Sequence, residues 1–248
     1  MMKPIFQLTL LAFMLNVPIT KTIWLCGDST MAIKDTKAYP ETGWGMPFVH
    51  FWQPSVAVRN LAKNGRSTKT FRSELLWKQV TDSAKKGDYV FIQFGHNDEA
   101  KDKVERYAPP DSFVTNLRRF VDEAKAVGAT PVLITPVSRR KFDQQGNALP
   151  THVEYSPLVK QVAAETNVLL IDLDEKSRML YQQFGPEYSK WLFLQLQKGE
   201  HPNYPDGKVD NTHFTELGAR LIAQIVLKDI QTNIPELANL IIIPAVKK

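Results

Sequence analysis

Residues 23–31 read Ile23-Trp24-Leu25-Cys26-Gly27-Asp28-Ser29-Thr30-Met31. Four apolar residues followed by a glycine, an acid and two hydroxyls describe a short buried strand that ends in a polar turn. Four further segments read as strands, at 56–60, 88–94 (Asp-Tyr-Val-Phe-Ile-Gln-Phe), 131–136 and 168–173. Helical spacings run between them. Phe113, Leu117, Phe120, Val121 and Ala124 share one face of a helix over 111–127, with Gly128 as its stop. A second helix is predicted over 156–166, and a last one, capped by Thr215, carries Leu217, Leu221, Ile225 and Val226. The alternation predicts an α/β fold, one parallel sheet with helices on both faces. The stretch 186–210 is rich in aromatics, glycine and proline and reads as a long loop.

The 248 residues, 43% hydrophobic and 23% charged, describe an ordinary globular chain with enough apolar mass for a full core. Cys26 is the single cysteine, which excludes an intrachain disulfide; in an apolar strand it reads as a small buried thiol. Residues 1–20 resemble a secretory signal, with Lys3 as the basic start and a mostly apolar run over 5–15 that is short for a bilayer span. The expectation is a signal segment at 1–20, then one domain over 21–248, secreted or periplasmic in a bacterial manner. No Asn-x-Ser/Thr sequon occurs. The net charge of +5 leaves three partners open: nucleic acid, an acidic polysaccharide, or only water. On charge alone the last is the plainest.

The chemistry gathers at the predicted strand ends, where ligands collect in open parallel sheets. Ser29 follows the first strand. Gly65, in Asn60-Leu-Ala-Lys-Asn-Gly65-Arg-Ser, follows the second. Gly95-His96-Asn97-Asp98 follows the third, and Asp210-Asn211-Thr212-His213 precedes the last helix. A serine hydroxyl is a weak nucleophile until a base takes its proton. Ser29, His213 and Asp210 can form such a set, the acid holding the histidine tautomer. Oxyanion donors are then available at the Ser29 amide, the Gly65 amide and the Asn97 side chain. Taken singly, each residue also reads as a turn, a cap or a surface group. Four ordered blocks at strand ends are hard to assemble by accident.

Those blocks resemble the SGNH superfamily of GDSL-type esterases, in the family's order and across almost the whole chain after residue 20. The wording Gly-Asp-Ser-Thr-Met, Asn-Gly-Arg-Ser-Thr, Gln-Phe-Gly-His-Asn-Asp and Pro-Asp-Gly-Lys-Val-Asp-Asn-Thr-His-Phe is most similar to rhamnogalacturonan acetylesterases. The resemblance implies a three-layer α/β/α sandwich around a five-stranded parallel, flavodoxin-like sheet. It also implies a secreted esterase that removes acetyl groups from pectin, with Ser29, Asp210 and His213 catalytic and Ser29, Gly65 and Asn97 forming the oxyanion hole. A lipase-type Gly-x-Ser-x-Gly elbow is absent.

Substrate contacts are expected from Asp28 and His96, beside the nucleophile and the oxyanion asparagine, and from Arg66 and Arg139, whose guanidinium forks suit galacturonate carboxylates. His50, between aromatics, reads as packing, and His152 as a polar loop residue. Trp44, Trp77 and Trp191 read equally as sugar platforms or as core. His201, Asp206, Asp210 and His213 could be drawn as a metal cluster, but their spacing matches no common site, so no metal or other cofactor is expected. The expected partner is an acetylated acidic polysaccharide or oligosaccharide, with no nucleic acid and no membrane once the leader is gone, and the protein is expected to be a monomer. Two rivals stand beside this reading. One is an SGNH lipase, thioesterase or xylan deacetylase, which needs an acyl tunnel or a neutral cleft. The other is a carbohydrate-binding protein that kept the fold and lost turnover.

Overall fold

The computed structural model describes residues 18–243. Most of the segment read as a leader lies outside the described residues. Five strands, β1 (Lys21–Gly27), β2 (Val56–Asn60), β3 (Tyr89–Gln93), β4 (Thr130–Ile134) and β5 (Leu169–Ile171), pair in parallel in the order β2-β1-β3-β4-β5. Eight helices accompany them: α1 (Gly45–Phe48), α2 (Thr68–Ser73), α3 (Leu76–Ser83), α4 (Pro110–Ala126), α5 (Tyr155–Thr166), α6 (Leu173–Tyr188), α7 (Glu216–Asn233) and α8 (Pro235–Ala238).

The period of two along each strand divides the core. Trp24, Cys26, Val90, Ile92 and Leu133 pack with Phe71 of α2, Trp77 of α3, Phe120 of α4 and Val159 of α5. Ile23, Leu25, Phe91, Val132 and Ile134 face the other way, onto Phe48 of α1, Tyr181 of α6, Val226 of α7 and Leu237 of α8. The central strands β1, β3 and β4 are buried on both faces and read as continuous apolar runs, whereas the edge strands β2 and β5 are half-buried and stand out by their short β-branched or aliphatic runs. Cys26 is fully buried, and burial pushes its thiol far above the ordinary range. Trp44 and Trp77 belong to the core, whereas Trp191 is exposed. His50, read as packing, is exposed; His152, read as a loop residue, is fully buried. No helix of the described residues is long and apolar enough to cross a membrane.

The stretch 186–210 is not a loop. It holds the kinked end of α6, a 3-10 turn at Ser189–Leu192, and strand β6 (Phe193–Leu196), which pairs antiparallel with β7 (Lys208–Phe214). The glycines and prolines that suggested a loop sit at the kink and in the hairpin connection. Gly185 is left-handed and breaks α6, and Gly207 is left-handed just before β7.

α7 begins so close to the 3-10 turn that a Cβ on Gly218 would stand 2.0 Å from the Leu192 carbonyl oxygen. Alanine inside a helix ordinarily gains up to about 1 kcal/mol over glycine. Here that gain meets an overpacking cost of roughly 1–3 kcal/mol against backbone that cannot swing aside. Gly218→Ala is therefore expected to lower the melting temperature by a few degrees, at ~2–4 °C per kcal/mol for a chain of this size. A thermal melt with an equal or higher midpoint would contradict the close approach.

Candidate active site

Three loops from neighbouring strands converge at one end of the sheet. After β1, Asp28 turns the chain: its carboxylate accepts the Thr30 N–H at 2.9 Å and the Thr30 hydroxyl at 2.8 Å. Gln93 of β3 donates to that hydroxyl at 2.7 Å and accepts the Trp44 indole N–H at 2.8 Å. Ser29 is thus presented by a turn fixed from below. Asp28 itself is fully buried and lines no cleft, so the expectation that it contacts substrate is corrected. Burial raises its carboxyl, against the bonds from Thr30.

The second half of the site comes from β7. Phe193 pairs with Phe214 and Gln195 with Val209, so residues 210–213 bulge out opposite the single residue Leu194. The bulge closes on itself. One oxygen of Asp210 accepts the Thr212 N–H at 2.7 Å and the His213 N–H at 3.0 Å. The other lies 2.8 Å from His213 Nδ1. His213 Nε2 lies 2.9 Å from Ser29 Oγ, across 184 residues of chain. With Nδ1–H directed at the carboxylate, Nε2 is the lone pair that faces the serine. Burial works to raise Asp210, but the hydrogen bond and charge of His213 prevail and lower it to about 2. Gln195 braces the bulge through the Asp210 carbonyl at 2.8 Å, and Arg140 through Asn211 Oδ1 at 3.1 Å.

Ser29, Gly65, Asn97 and His213 line one open cleft of about 460 Å³ with Glu41, Asn64, His96, Lys103, Arg106 and Arg139. Among the described residues, the backbone N–H groups of Ser29 and Gly65 have no protein acceptor. Gly65 holds a left-handed φ of 77° that turns its backbone to the cleft. Asn97 gives one side-chain N–H to the Arg66 carbonyl at 2.9 Å and keeps the second. A larger hollow of about 770 Å³ lies along edge strand β2, against Trp24, Arg59 and Asp88. No serine–histidine pair faces it.

The other expected contacts divide. His96 lines the cleft; its Nε2 donates to the Val137 carbonyl at 2.9 Å, and burial holds the ring neutral with Nδ1 unpartnered. Arg139 lines the cleft, but its guanidinium is engaged by Glu99, whose second oxygen takes the buried His152 at 3.0 Å. Arg66 does not line the cleft. Its guanidinium is held by Glu74 at 2.9 Å and by the Asn64 carbonyl at 2.7 Å, so its expected role in substrate binding is corrected. His201 hydrogen-bonds the Asn203 N–H and stacks on Tyr39, and among the described residues no three metal-type side chains converge.

Lys34 was missed, since nothing in its sequence surroundings marks it as buried. Its ammonium bonds the Ser29 carbonyl, Asn64 Oδ1 at 2.8 Å and Glu41 at 2.7 Å, tying the serine turn to the Gly65 loop. Burial lowers its affinity for the proton, and Glu41 restores part of it. Glu41, Lys103 and Arg106 also escaped the sequence reading, because they reach the cleft from loops without a motif.

A model of the GDSL-like lipase/acylhydrolase family matches residues 25–221. A rhamnogalacturonan acetylesterase of Bacillus subtilis is 42% identical over 218 residues, covering 88% of this chain and 92% of that one. A solved Bacillus subtilis protein superposes with a TM-score of 0.73 at 26% identity, over 86% of this chain and 56% of that longer one. An acetylxylan esterase from Geobacillus stearothermophilus shares the fold, with a TM-score of 0.57 at 20% identity over 87% and 96% of the two chains.

Lys34→Met removes the tie and leaves Glu41 facing a buried apolar group. Breaking one partner of a buried pair costs roughly 3–5 kcal/mol. Urea unfolding is expected to show a clear loss of stability, and the double variant Lys34→Met/Glu41→Leu is expected to recover part of it. A single variant as stable as the parent would mean that the ammonium holds nothing in place.

Proposed function

The chain belongs to the GDSL-like lipase/acylhydrolase family and is an ester-hydrolysing serine hydrolase, and we propose that it is a secreted acetylesterase acting on an acidic, pectic polysaccharide. The observation that carries the reading is the 2.9 Å approach of His213 Nε2 to Ser29 Oγ, with Asp210 behind it, in an open cleft edged by arginines. An open polar cleft suits a short acyl group on a long polymer, and supports neither an acyl tunnel nor a binding protein without turnover. The rhamnogalacturonan acetylesterase at 42% identity supports the pectic substrate over xylan, and the apolar leader at 5–15 supports export.

In this reading His213 takes the Ser29 proton as Oγ attacks the acetyl carbonyl carbon. The carbonyl oxygen, now negative, accepts the N–H groups of Ser29, Gly65 and Asn97. The tetrahedral intermediate collapses, the sugar oxygen leaves, and His213 returns the proton to it. Water repeats the cycle on the acetyl-serine and releases acetate. Asp210, ionised down to about pH 2, keeps Nδ1–H in place and stabilises the imidazolium at each stage.

Three outcomes test the assignment. Ser29→Ala and His213→Ala are each expected to abolish acetate release, with the double variant little worse than either, because the pair acts as a unit. Since Asp210 stays ionised down to about pH 2, it is expected to add no proton of its own to the acid limb of kcat/KM. Asp210→Asn is expected to lower kcat by about 10⁴-fold while the fold persists. A wild-type acid limb of two protons, or a Ser29→Ala variant that still turns over, sinks the triad.

Asn97→Ala is expected to lower kcat on the order of 10²–10³-fold with little change in KM, since its bond strengthens only as charge develops. A raised KM at unchanged kcat would reduce Asn97 to a binding group. For the substrate, acetate release from acetylated rhamnogalacturonan is expected to exceed that from acetylated xylan. The reverse order would transfer the chain to the xylan reading.

A further inference from the structure

Three lysine and arginine side chains line the cleft: Lys103, Arg106 and Arg139. Two of them already have a carboxylate of the protein within hydrogen-bond distance. Lys103 pairs with Asp102 at 3.1 Å, and Arg139 with Glu99. Arg106 is different. Its Nε is buried and without a partner, and the Glu105 carboxylate stands 3.9 Å from it, beyond hydrogen-bond reach. One of its terminal nitrogens hangs over the Gly65 backbone, 3.2 Å from where a Cβ on that residue would be. Among the described residues, no acceptor engages its guanidinium.

A partly buried guanidinium with a vacant donor fork is a receiver for a planar anion. Its position beside Gly65 sets it next to the proposed oxyanion hole. We propose that Arg106 reads the carboxylate of a uronic acid residue, bidentate, on or beside the acetylated sugar. The inference rests on the pectic reading and names the residue that recognises the acid. The carboxylate replaces water on the fork, and the sugar ring is thereby set with its acetyl carbonyl over Ser29. Arg66, adjacent to Gly65 in sequence, cannot serve, because Glu74 already fills its fork.

The test compares two substrates and three enzymes. One substrate is an acetylated galacturonate-containing oligosaccharide with free carboxylates. The other is the same oligosaccharide with those carboxyls methyl-esterified, and acetate release is the readout. The parent enzyme is expected to prefer the free acid by about 10–100-fold in kcat/KM, the usual worth of a hydrogen-bonded charge pair. Arg106→Gln is expected to lose that preference, mainly through a raised KM on the free acid. Arg106→Lys, which keeps the charge without the fork, is expected to retain part of it. If Arg106→Gln keeps the full preference, or loses kcat equally on both substrates, Arg106 does not read the carboxylate. If the parent shows no preference, the inference fails while the acetylesterase reading stands. If the parent releases acetate from neither oligosaccharide, the pectic reading fails and takes the inference with it.

Discussion

The order of the strands is the constraint on which the site depends. β1 lies between β2 and β3, so the chain leaves β1 towards one neighbour and must cross behind it to reach the other. The α1 segment closes the first connection on one face of the sheet, and α2 and α3 close the second on the opposite face. Where connections diverge to opposite faces, nothing fills the space between them. The loops after these three strands border that gap, and they carry Ser29, Gly65 and Asn97. No residue has to travel far to reach it, because adjacent parallel strands end side by side.

The base cannot arrive in the same way, since it comes from the far end of the chain. It is supplied by a local device, a bulge in β7 that places four residues against one of β6. Bulges bend a strand and re-aim its side chains. In this one, Asp210 caps the two N–H groups that the bulge leaves unpaired and keeps its second oxygen for His213. One carboxylate therefore both shapes the backbone and orients the imidazole. Lys34 plays the matching part on the other side by joining the serine turn to the Gly65 loop. The serine turn is held by Thr30, Gln93 and Trp44, so Ser29 is fixed in place without a ligand.

What the sequence reveals follows from how locally each feature is determined. The central strands β1, β3 and β4 are buried on both faces, so their apolar runs are legible, and the residues just past their ends inherit that legibility. α4 is long enough to show a clear stripe, but on α7 most of the residues read from the sequence fall to the side of the core face: Leu217 is exposed, Leu221 and Ile225 are half-buried, and Ala219, Ile222, Ala223, Val226 and Ile230 are the buried ones. The β6–β7 pair was not legible, because its strands are half-exposed and its glycines serve a kink and a hairpin rather than a loop. The cations show the same divide. Arg66 was favoured for its place beside Gly65 in sequence, but Glu74, at the end of α2, is one helix further on and takes it. Arg106 lies 41 positions after Gly65 and reaches it only because the segment after Asn97 folds back, with the Ala108 N–H bonded to the Asp98 carbonyl. His152, read as a polar loop residue, is fully buried because Glu99, distant in sequence, supplies the hydrogen bond that lets it be.

The arrangement also separates two kinds of charge. An acidic polysaccharide carries a standing negative charge, whereas the oxyanion exists only in the transition state. At the effective dielectric of a surface cleft, a bare guanidinium about 4 Å away favours a developing oxyanion by about 4 kcal/mol. Once a substrate carboxylate occupies Arg106, that field is largely cancelled. Stabilisation of the oxyanion then falls on donors that carry no net charge and that the carboxylate does not occupy: the two backbone N–H groups and the Asn97 amide. Such donors need no counterion and do not reorganise as the reaction proceeds. A cation at the oxyanion itself would instead hold the acetate product and the substrate carboxylate about as well as the transition state, which lowers KM without raising kcat. If the cleft takes an acidic polymer as proposed, placing the guanidinium beside Gly65 rather than in place of its N–H lets it select that polymer and still reserve its strongest interactions for the reacting carbonyl.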